Sequence, residues 1–183
     1  MSQARHNRTA RLPLRAFTLI EILVVVVILG IAAAIVVPAI GSRSDLKATS
    51  AARMIMADLI YAQNRAISQQ APQFVRFNAG AETYEIFSQM TPALVYVKHP
   101  VEASNFIVTL GNSGPKPIRD VFIDTASFDG KTILMFDELG TPMAYDLATN
   151  TSTPMTAGSV RLTCGTFVLT IVIEPFSGEL RLQ

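Results

Sequence analysis

Hydrophobic and polar positions follow three successive patterns along the chain, and each pattern predicts a different kind of element. The first is an uninterrupted apolar run, with no polar side chain from Ile22 to Val37. With its apolar flanks, the run extends over residues 17–40. At about 1.5 Å of rise per helical residue, this stretch is long enough to cross a hydrocarbon core of roughly 30 Å. We therefore predict a membrane-spanning helix over residues 17–40.

The second pattern is amphipathic and covers residues 41–71. Apolar residues recur there at spacings of three and four, which is typical of a helix with one buried face. Gln63 is the only polar residue on that face, and Pro72 follows the segment. We predict that this helix continues the first one. Gly30 and Pro38 are predicted kink positions, because proline removes a backbone donor and glycine permits close helix packing.

The third pattern has period two and covers residues 72–183, which predicts a β-rich domain. Phe74–Phe77 and Tyr84–Phe87 flank a short turn and predict a hairpin. Segments 111–119 and 148–158 are polar and rich in Gly, Pro and Thr, so we predict loops there. The predicted fold is α+β, with one long N-terminal helix packed on an antiparallel sheet domain. Eight further strands are predicted at residues 94–98, 106–110, 121–123, 132–136, 143–147, 159–162, 167–173 and 180–182.

Charge is distributed unevenly and changes the interpretation of the apolar run. Residues 1–16 hold four arginines and no acid, whereas the whole chain has 15 basic and 14 acidic residues. The chain from Phe17 onward is therefore net acidic, which does not favour nucleic acid as a partner. Basic residues before a membrane helix stay in the cytoplasm. We expect a single-pass protein with a cytoplasmic N-terminus.

Glu21 is the one carboxylate near the start of the apolar run. A charged group at this depth in a membrane is costly unless it is paired. No Lys or Arg lies between Phe17 and Ser42, so the helix offers no partner of its own. We therefore expect Glu21 to pair with a cation on another molecule.

The segment from Arg15 to Glu21 resembles the prepilin-type N-terminus of type IV pilins and type II secretion pseudopilins. The resemblance implies cleavage between Ala16 and Phe17 by a prepilin peptidase, which removes residues 1–16 as a leader and N-methylates Phe17. It also implies that Glu21 pairs with the N-terminal amine of a neighbouring subunit. Ala16 departs from the pattern, because Gly is usual before the cut. Its small side chain still fits a tight subsite, so we expect cleavage, at a reduced rate.

The remainder resembles the minor pseudopilin H branch (the GspH/FimT family). The resemblance is carried by the helix segment Ala57–Ile67, the turn Phe136–Pro142 and the hairpin around Gly178. It implies a non-enzymatic subunit of the type II secretion pseudopilus, in the inner membrane with a periplasmic C-terminal domain. The implied partners are other major and minor pseudopilins, the inner-membrane secretion platform and membrane lipid.

Several alternatives stay open. A secretory signal peptide has a shorter apolar region than this one, and a plain signal anchor would leave Glu21 without a role. A type IV pilus minor pilin of FimT type, acting in pilus assembly or DNA uptake, would share the same N-terminus. Its DNA-binding form needs clustered basic residues, and Lys98, Lys116 and Arg119 are the only candidates near loops.

Groups that carry chemistry are sparse. His6 lies in the leader and His99 is expected in a loop, and one His with Cys164 does not make the usual structural zinc site. Cys164 is expected to be a buried small residue in a strand. We expect no catalytic residues, metal or cofactor, although a membrane-anchored enzyme remains a third hypothesis.

Overall fold

The computed structural model describes residues 17–41 and 44–183, without the side chains of residues 35–41. The predicted leader, including Ala16, lies outside the described residues. The chain divides into two compact units, one ending at Ser42 and the other beginning at Arg43. Each unit is described by itself.

The first unit contains helix α1, which runs from Leu19 to Gly41. The predicted kink positions Gly30 and Pro38 both lie within it, and the kink itself stays a prediction. All side chains from Phe17 to Ala34 are exposed. Among the residues that the structure describes, no helix has the length and hydropathy required of a membrane span.

The second unit begins with helix α2, Ser44–Gln69, which confirms the amphipathic prediction. The helix ends in a Schellman motif: Gln70 has a φ of 48°, and the Ala71 amide donates to the Ala66 carbonyl at 3.2 Å. Its buried face is lined largely by alanine, which allows the sheets to approach the helix axis closely. The buried residues are Ala48, Ala51, Ala52, Ile55, Leu59, Ala62 and Ala66.

Eleven strands follow in the part described: β1 Gln73–Asn78, β2 Thr83–Gln89, β3 Val95–Tyr96, β4 Ile107–Thr109, β5 Phe122–Phe128, β6 Ile133–Phe136, β7 Pro142–Asp146, β8 Thr151–Pro154, β9 Gly158–Cys164, β10 Phe167–Ile173 and β11 Leu180–Leu182. They form two antiparallel sheets where the sequence predicts one sheet domain. One has the order β3-β2-β1-β6-β7-β8, with β4 also paired to β2, and the other has the order β11-β10-β9-β5. The predicted α+β class is confirmed. The division of the strands into two sheets was not predicted from the sequence.

The predicted loop at 148–158 is wrong in part, because it contains β8. All four residues of β8 are exposed, and the strand lies at the edge of its sheet beside β7. A strand exposed on both faces has no apolar alternation, so period two does not reveal it. Similarly, β5 extends beyond the predicted 121–123, because the residues after Ile123 are mostly exposed.

The main core lies between α2 and the two sheets. Helix α2 contacts β1 and β6 of one sheet and β9 and β10 of the other. Ile55, Leu59, Phe136, Leu162 and Ile171 in this core are each at most 1% exposed. Burial of these side chains contributes about 1.5–3 kcal/mol each. Helix α2 therefore joins the two sheets into one unit.

Candidate functional site

The start of α1 is built around Thr18. Its side-chain Oγ1 accepts a hydrogen bond from the Glu21 amide at 3.3 Å, and its carbonyl accepts from the Glu21 and Ile22 amides at 3.1 and 3.3 Å. Thr18 is therefore the N-cap of the helix. Glu21 occupies the third helical position, which is the spacing of a capping box. The first turn also favours a negative charge through the helix dipole.

The Glu21 carboxylate belongs to none of the ion pairs that residues 17–41 and 44–183 form with one another. Phe17, four residues before it, is 74% exposed. An acidic group and an exposed aromatic residue therefore lie at the N-terminal end of the helix. The pairing of Glu21 with a neighbouring amine stays a prediction.

Apart from Glu21, the described side chains of α1 are apolar on every side of the helix, and even Val25 is 47% exposed. A helix that is apolar all round is suited to a membrane or to burial among other helices. A Cβ added at Gly30 would meet nothing within 4 Å.

A second candidate site lies on the C-terminal part of α2, around Gln63. Its side-chain amide Nε2 donates to the Gly140 carbonyl at 2.8 Å and to the Ser177 carbonyl at 3.0 Å. Gly140 lies in the turn between β6 and β7, and Ser177 lies in the turn between β10 and β11. One side chain therefore links a turn from each sheet to the helix. We call this arrangement the Gln63 clasp.

The β6–β7 turn is shaped by Asp137. Its carboxylate accepts from the Leu139 and Thr141 amides at 3.0 and 2.7 Å, which is a typical Asx arrangement. Gly140 has a φ of 81°, and a Cβ there would lie 2.7 Å from Ile67 Cδ1. The turn needs glycine both for its conformation and for its contact with α2.

In the β10–β11 turn, glycine is needed at position 178 for the same two reasons, the backbone conformation and the contact with α2. Its φ is 70°, and a Cβ would lie 2.6 Å from Gln63 Nε2. The two segments that carry the family resemblance, Phe136–Pro142 and the Gly178 hairpin, thus meet at one place on α2. Sequence reasoning missed this meeting, although Gln63, as the one polar residue on the apolar face, was a signal of it.

Arg65 follows Gln63 by two residues on α2 and forms a separate hydrogen bond. Its Nε donates to Gln73 Oε1 at 3.1 Å. Gln73 is 0% exposed, and its Nε2 donates to the Ala71 carbonyl at 3.3 Å. The Arg65 bond thus satisfies a buried polar side chain at the start of β1, so its role is structural.

A polar cluster between α2 and β2 contains two side chains whose pKa values are raised. The Tyr84 hydroxyl donates to the Asp58 carboxylate. Burial raises the pKa of Asp58 above its usual 3.8, against the smaller opposing effects of the Tyr84 hydrogen bond and of the electrostatic interaction with His99. Burial, with the Asp58 charge and hydrogen bond, also raises the pKa of Tyr84. His99 packs against Phe106 in a loop, with ring centroids 4.8 Å apart.

The described residues contain no cluster of side chains arranged to bind a metal ion. No group of three or more His, Cys, Asp or Glu in residues 17–41 and 44–183 is placed to hold a metal ion. Cys164 is buried at 3% exposure and ends β9, which confirms the expectation for it. The Asp129 carboxylate accepts hydrogen bonds from the Thr156 amide and hydroxyl and from the Ala157 amide, and these bonds lower its pKa.

Comparison with known proteins bears first on the N-terminus. Residues 15–37 match the family model described as the prokaryotic N-terminal methylation motif. No curated protein matches the chain. The motif and the structure define the class: an α+β protein with a prepilin-type N-terminus.

Two solved structures are similar in fold. The minor pseudopilin EpsH from the Type 2 Secretion System of Vibrio cholerae has 13% identity and a TM-score of 0.49, over 75% of this chain and 96% of that chain. The type IV minor pilin FimU of Pseudomonas aeruginosa (strain PAO1) has 15% identity and a TM-score of 0.47, over 74% of this chain and 87% of that chain.

Proposed function

We propose that the chain is a minor pseudopilin of the type II secretion pseudopilus, of the H branch. The observation that carries this proposal is the match of residues 15–37 to the N-terminal methylation motif, within which helix α1 is apolar after Glu21. The Gln63 clasp adds support, because it brings together the two turns whose sequences resemble that branch. The protein would act by assembly and without catalysis.

The steps follow from the residues. A prepilin peptidase cleaves between Ala16 and Phe17 and N-methylates Phe17. The apolar helix holds the subunit in the inner membrane as a single span, with the N-terminus cytoplasmic and residues 72–183 in the periplasm. During assembly the Glu21 carboxylate meets the Phe17 amine of a neighbouring subunit. A cation at that place offsets the cost of a carboxylate in a low dielectric.

Other pseudopilins and the inner-membrane secretion platform would be the partners, and the apolar helices would pack together in the filament core with membrane lipid released. Filament growth would then move cargo outward.

We do not propose nucleic acid as a ligand. Lys47 is neutralised by Asp120 at 2.6 Å, and Lys98 Nζ is bonded to Asn105, which leaves Lys116 and Arg119 as a small basic group.

The experiment compares full-length wild-type protein with Glu21→Ala in cells that hold the complete secretion system. Mass spectrometry determines the N-terminus, and immunoblots measure the protein in sheared filaments and the cargo in the medium. We expect a mature N-terminus at Phe17 in both proteins. Loss of about 1.4 kcal/mol of pairing would lower incorporation about tenfold. Glu102→Ala, at an exposed loop position, is the matched control.

Two results would contradict the proposal. An N-terminus other than Phe17 in the wild type would refute the processing step, and normal incorporation of Glu21→Ala would refute the pairing. Deletion of the gene separates the two systems: loss of cargo secretion supports the pseudopilus, whereas loss of pili or DNA uptake with normal secretion supports a minor pilin.

A further inference from the structure

Basic and apolar side chains lie together at the N-terminal end of α2. An open cleft of about 230 Å³ is lined there by Leu46, Lys47, Ser50, Lys116 and Pro117. Leu46 is 65% exposed, and Lys116 and Pro117 are also exposed. These last two residues belong to a short 3-10 helix, Lys116–Ile118, which packs on α2. We call the surface formed by Leu46, Lys116, Pro117 and Arg119 the basal patch.

The charges of the basal patch are not neutralised within the part of the chain that the structure describes. Lys116 and Arg119 form no ion pair with another described residue. The neighbouring Lys47 is paired with Asp120 at 2.6 Å, so this pair adds no net charge. Asp45 is the acidic residue in the first turn of α2. The N-terminal end of α2 and its surroundings therefore carry a net positive charge beside an exposed leucine and an exposed proline.

The other end of α2 has the opposite charge. The turns that the Gln63 clasp holds contain the carboxylates of Asp137, Glu138, Glu174 and Glu179. Among the described residues, Arg181 is the one basic side chain that forms an ion pair with any of these four. Lys47 and Gln63 lie about 24 Å apart along α2. This unit thus has a basic end and an acidic end, so a negatively charged surface attracts the first and repels the second.

The proposed membrane anchor ends close to the basal patch along the chain. Leu46 follows Ile40, the last residue of the apolar run, by six residues. Six residues reach at most about 22 Å even when they are fully extended. A membrane that is spanned by residues 17–40 therefore has its surface within reach of Leu46. Such a short tether gives the patch a high effective concentration at that surface, so that two basic side chains suffice for a contact.

We propose that the basal patch docks on anionic phospholipid headgroups of the membrane that holds α1. This inference deepens the proposed function and rests on its membrane-spanning helix. Lys116 and Arg119 would contact headgroup phosphates, and Leu46 would enter the lipid interface beside them. Each basic side chain near an anionic surface strengthens binding about fivefold, and salt weakens the contact by screening. The acidic end would stay away from the lipid until the subunit leaves the membrane for the filament.

Fluorescence quenching of full-length protein in vesicles tests the contact. The vesicles consist of phosphatidylcholine alone, or of equal parts of phosphatidylcholine and phosphatidylglycerol, each with a trace of lipid that carries a spin label on its headgroup. One protein carries a fluorophore on Ser113→Cys, at an exposed position just before the basal patch. The control carries it on Ser177→Cys, at an exposed position of the acidic end. The native Cys164 is buried in both proteins and is not labelled.

We expect the headgroup label to quench the fluorophore at position 113 several-fold more strongly in anionic than in neutral vesicles. The fluorophore at position 177 should be quenched weakly in both. Lys116→Glu should remove the excess at position 113, because it replaces attraction to the lipid with repulsion. Lys98→Glu makes the same change of charge at an exposed position between β3 and β4, and it should leave the excess unchanged. Added salt should reduce the excess in the wild type.

Equal quenching at position 113 in the two kinds of vesicle would overturn the inference, as would stronger quenching at position 177. Equal effects of Lys116→Glu and Lys98→Glu would also overturn it, because the attraction would then depend on net charge alone. Flotation separates this inference from the proposed function. Protein that does not float with neutral vesicles has no inserted α1, and both proposals then fail. Protein that floats with them but shows no preference for anionic lipid refutes the docking alone.

Discussion

Gln63 lies so close to Gly178 that a Cβ at the glycine would be 2.6 Å from the amide Nε2. The same nitrogen donates to the carbonyl of the preceding residue, Ser177, at 3.0 Å. The β10–β11 turn therefore rests directly on α2. Because the amide also donates to Gly140, this contact couples both sheets to the helix.

Gln63→Ala should destabilise the fold. The variant leaves the Gly140 and Ser177 carbonyls without their donor, and we expect a decrease of about 1–3 kcal/mol in the free energy of unfolding. Chemical denaturation of the full chain in detergent, followed by circular dichroism, measures it. Gln69→Ala, at an exposed position of the same helix, should change the stability by less than about 0.5 kcal/mol. Equal effects of the two variants would show that the clasp does not contribute.

Gly178→Ala should lower the free energy of unfolding by more than the cost of placing alanine in this backbone conformation. Gly130 has a similar φ of 83° with nothing within 4 Å of an added Cβ, so Gly130→Ala measures the conformational cost, about 1–2 kcal/mol. Gly178→Ala should exceed that value because the new methyl displaces the Gln63 amide. In a Gln63→Ala background the excess should disappear, since neighbouring sites couple. If the extra loss of stability is unchanged in that background, the added methyl group clashes with a group other than the Gln63 amide.

Asp58 should make the protein less stable as pH rises. Burial raises its pKa in the folded state above 3.8, so between these two values the native state binds more protons than the unfolded state. The free energy of unfolding therefore falls as pH increases through that window. Asp129 and Asp146 have lowered pKa values, so their contributions are lost only as pH falls below 3.8.

Two variants test this dependence in opposite directions. Asp58→Asn keeps an acceptor for the Tyr84 hydroxyl and removes the ionisation, so the decline above pH 3.8 should flatten. Tyr84→Phe removes the hydrogen bond that opposes the raised pKa of Asp58, so the decline should steepen and extend to higher pH. Thermal unfolding from about pH 3 to about pH 8 measures both slopes. An unchanged slope in Asp58→Asn would assign the dependence to other groups.

Ala16→Gly should accelerate leader removal if Ala16 limits cleavage. Mass spectrometry of membrane-extracted protein over a time course after synthesis measures the fraction that begins at Phe17. We expect a several-fold higher rate in Ala16→Gly and no change in Ala10→Gly, which lies earlier in the leader. An equal rate in the wild type and Ala16→Gly would show that the peptidase accepts alanine as readily as glycine.

The elements with local signals were predicted well. Helix α2 agrees with the predicted amphipathic segment, and β10 and β11 have the predicted bounds. The hairpin of β1 and β2 pairs Phe77 with Tyr84, as its sequence indicates. Strand β8 was missed because all of its residues face solvent, and the division into two sheets was missed because alternation does not identify the partner of a strand.

Ile60 and Ile67 show a related limit of periodicity. Both fit the spacing of three and four residues that predicts the buried face of α2, yet they are 46% and 43% exposed. The buried stripe is narrower and runs through Ala48, Ala52, Ile55, Leu59 and Ala66. Helical spacing gives the direction of a face, whereas its width depends on what packs against it.

The amino-acid sequence by itself determined the apolar N-terminal helix, the methylation motif, the amphipathic α2 and most strands, because these depend on residues near one another in the chain. Only the tertiary structure decided what the Gln63 amide contacts. Its acceptors lie 77 and 114 residues away, in turns of two different sheets. Hydrogen bonds at such separations depend on how complete elements pack, so no local pattern contains them. The same packing holds the turns that contain Leu139 and Phe176 against α2.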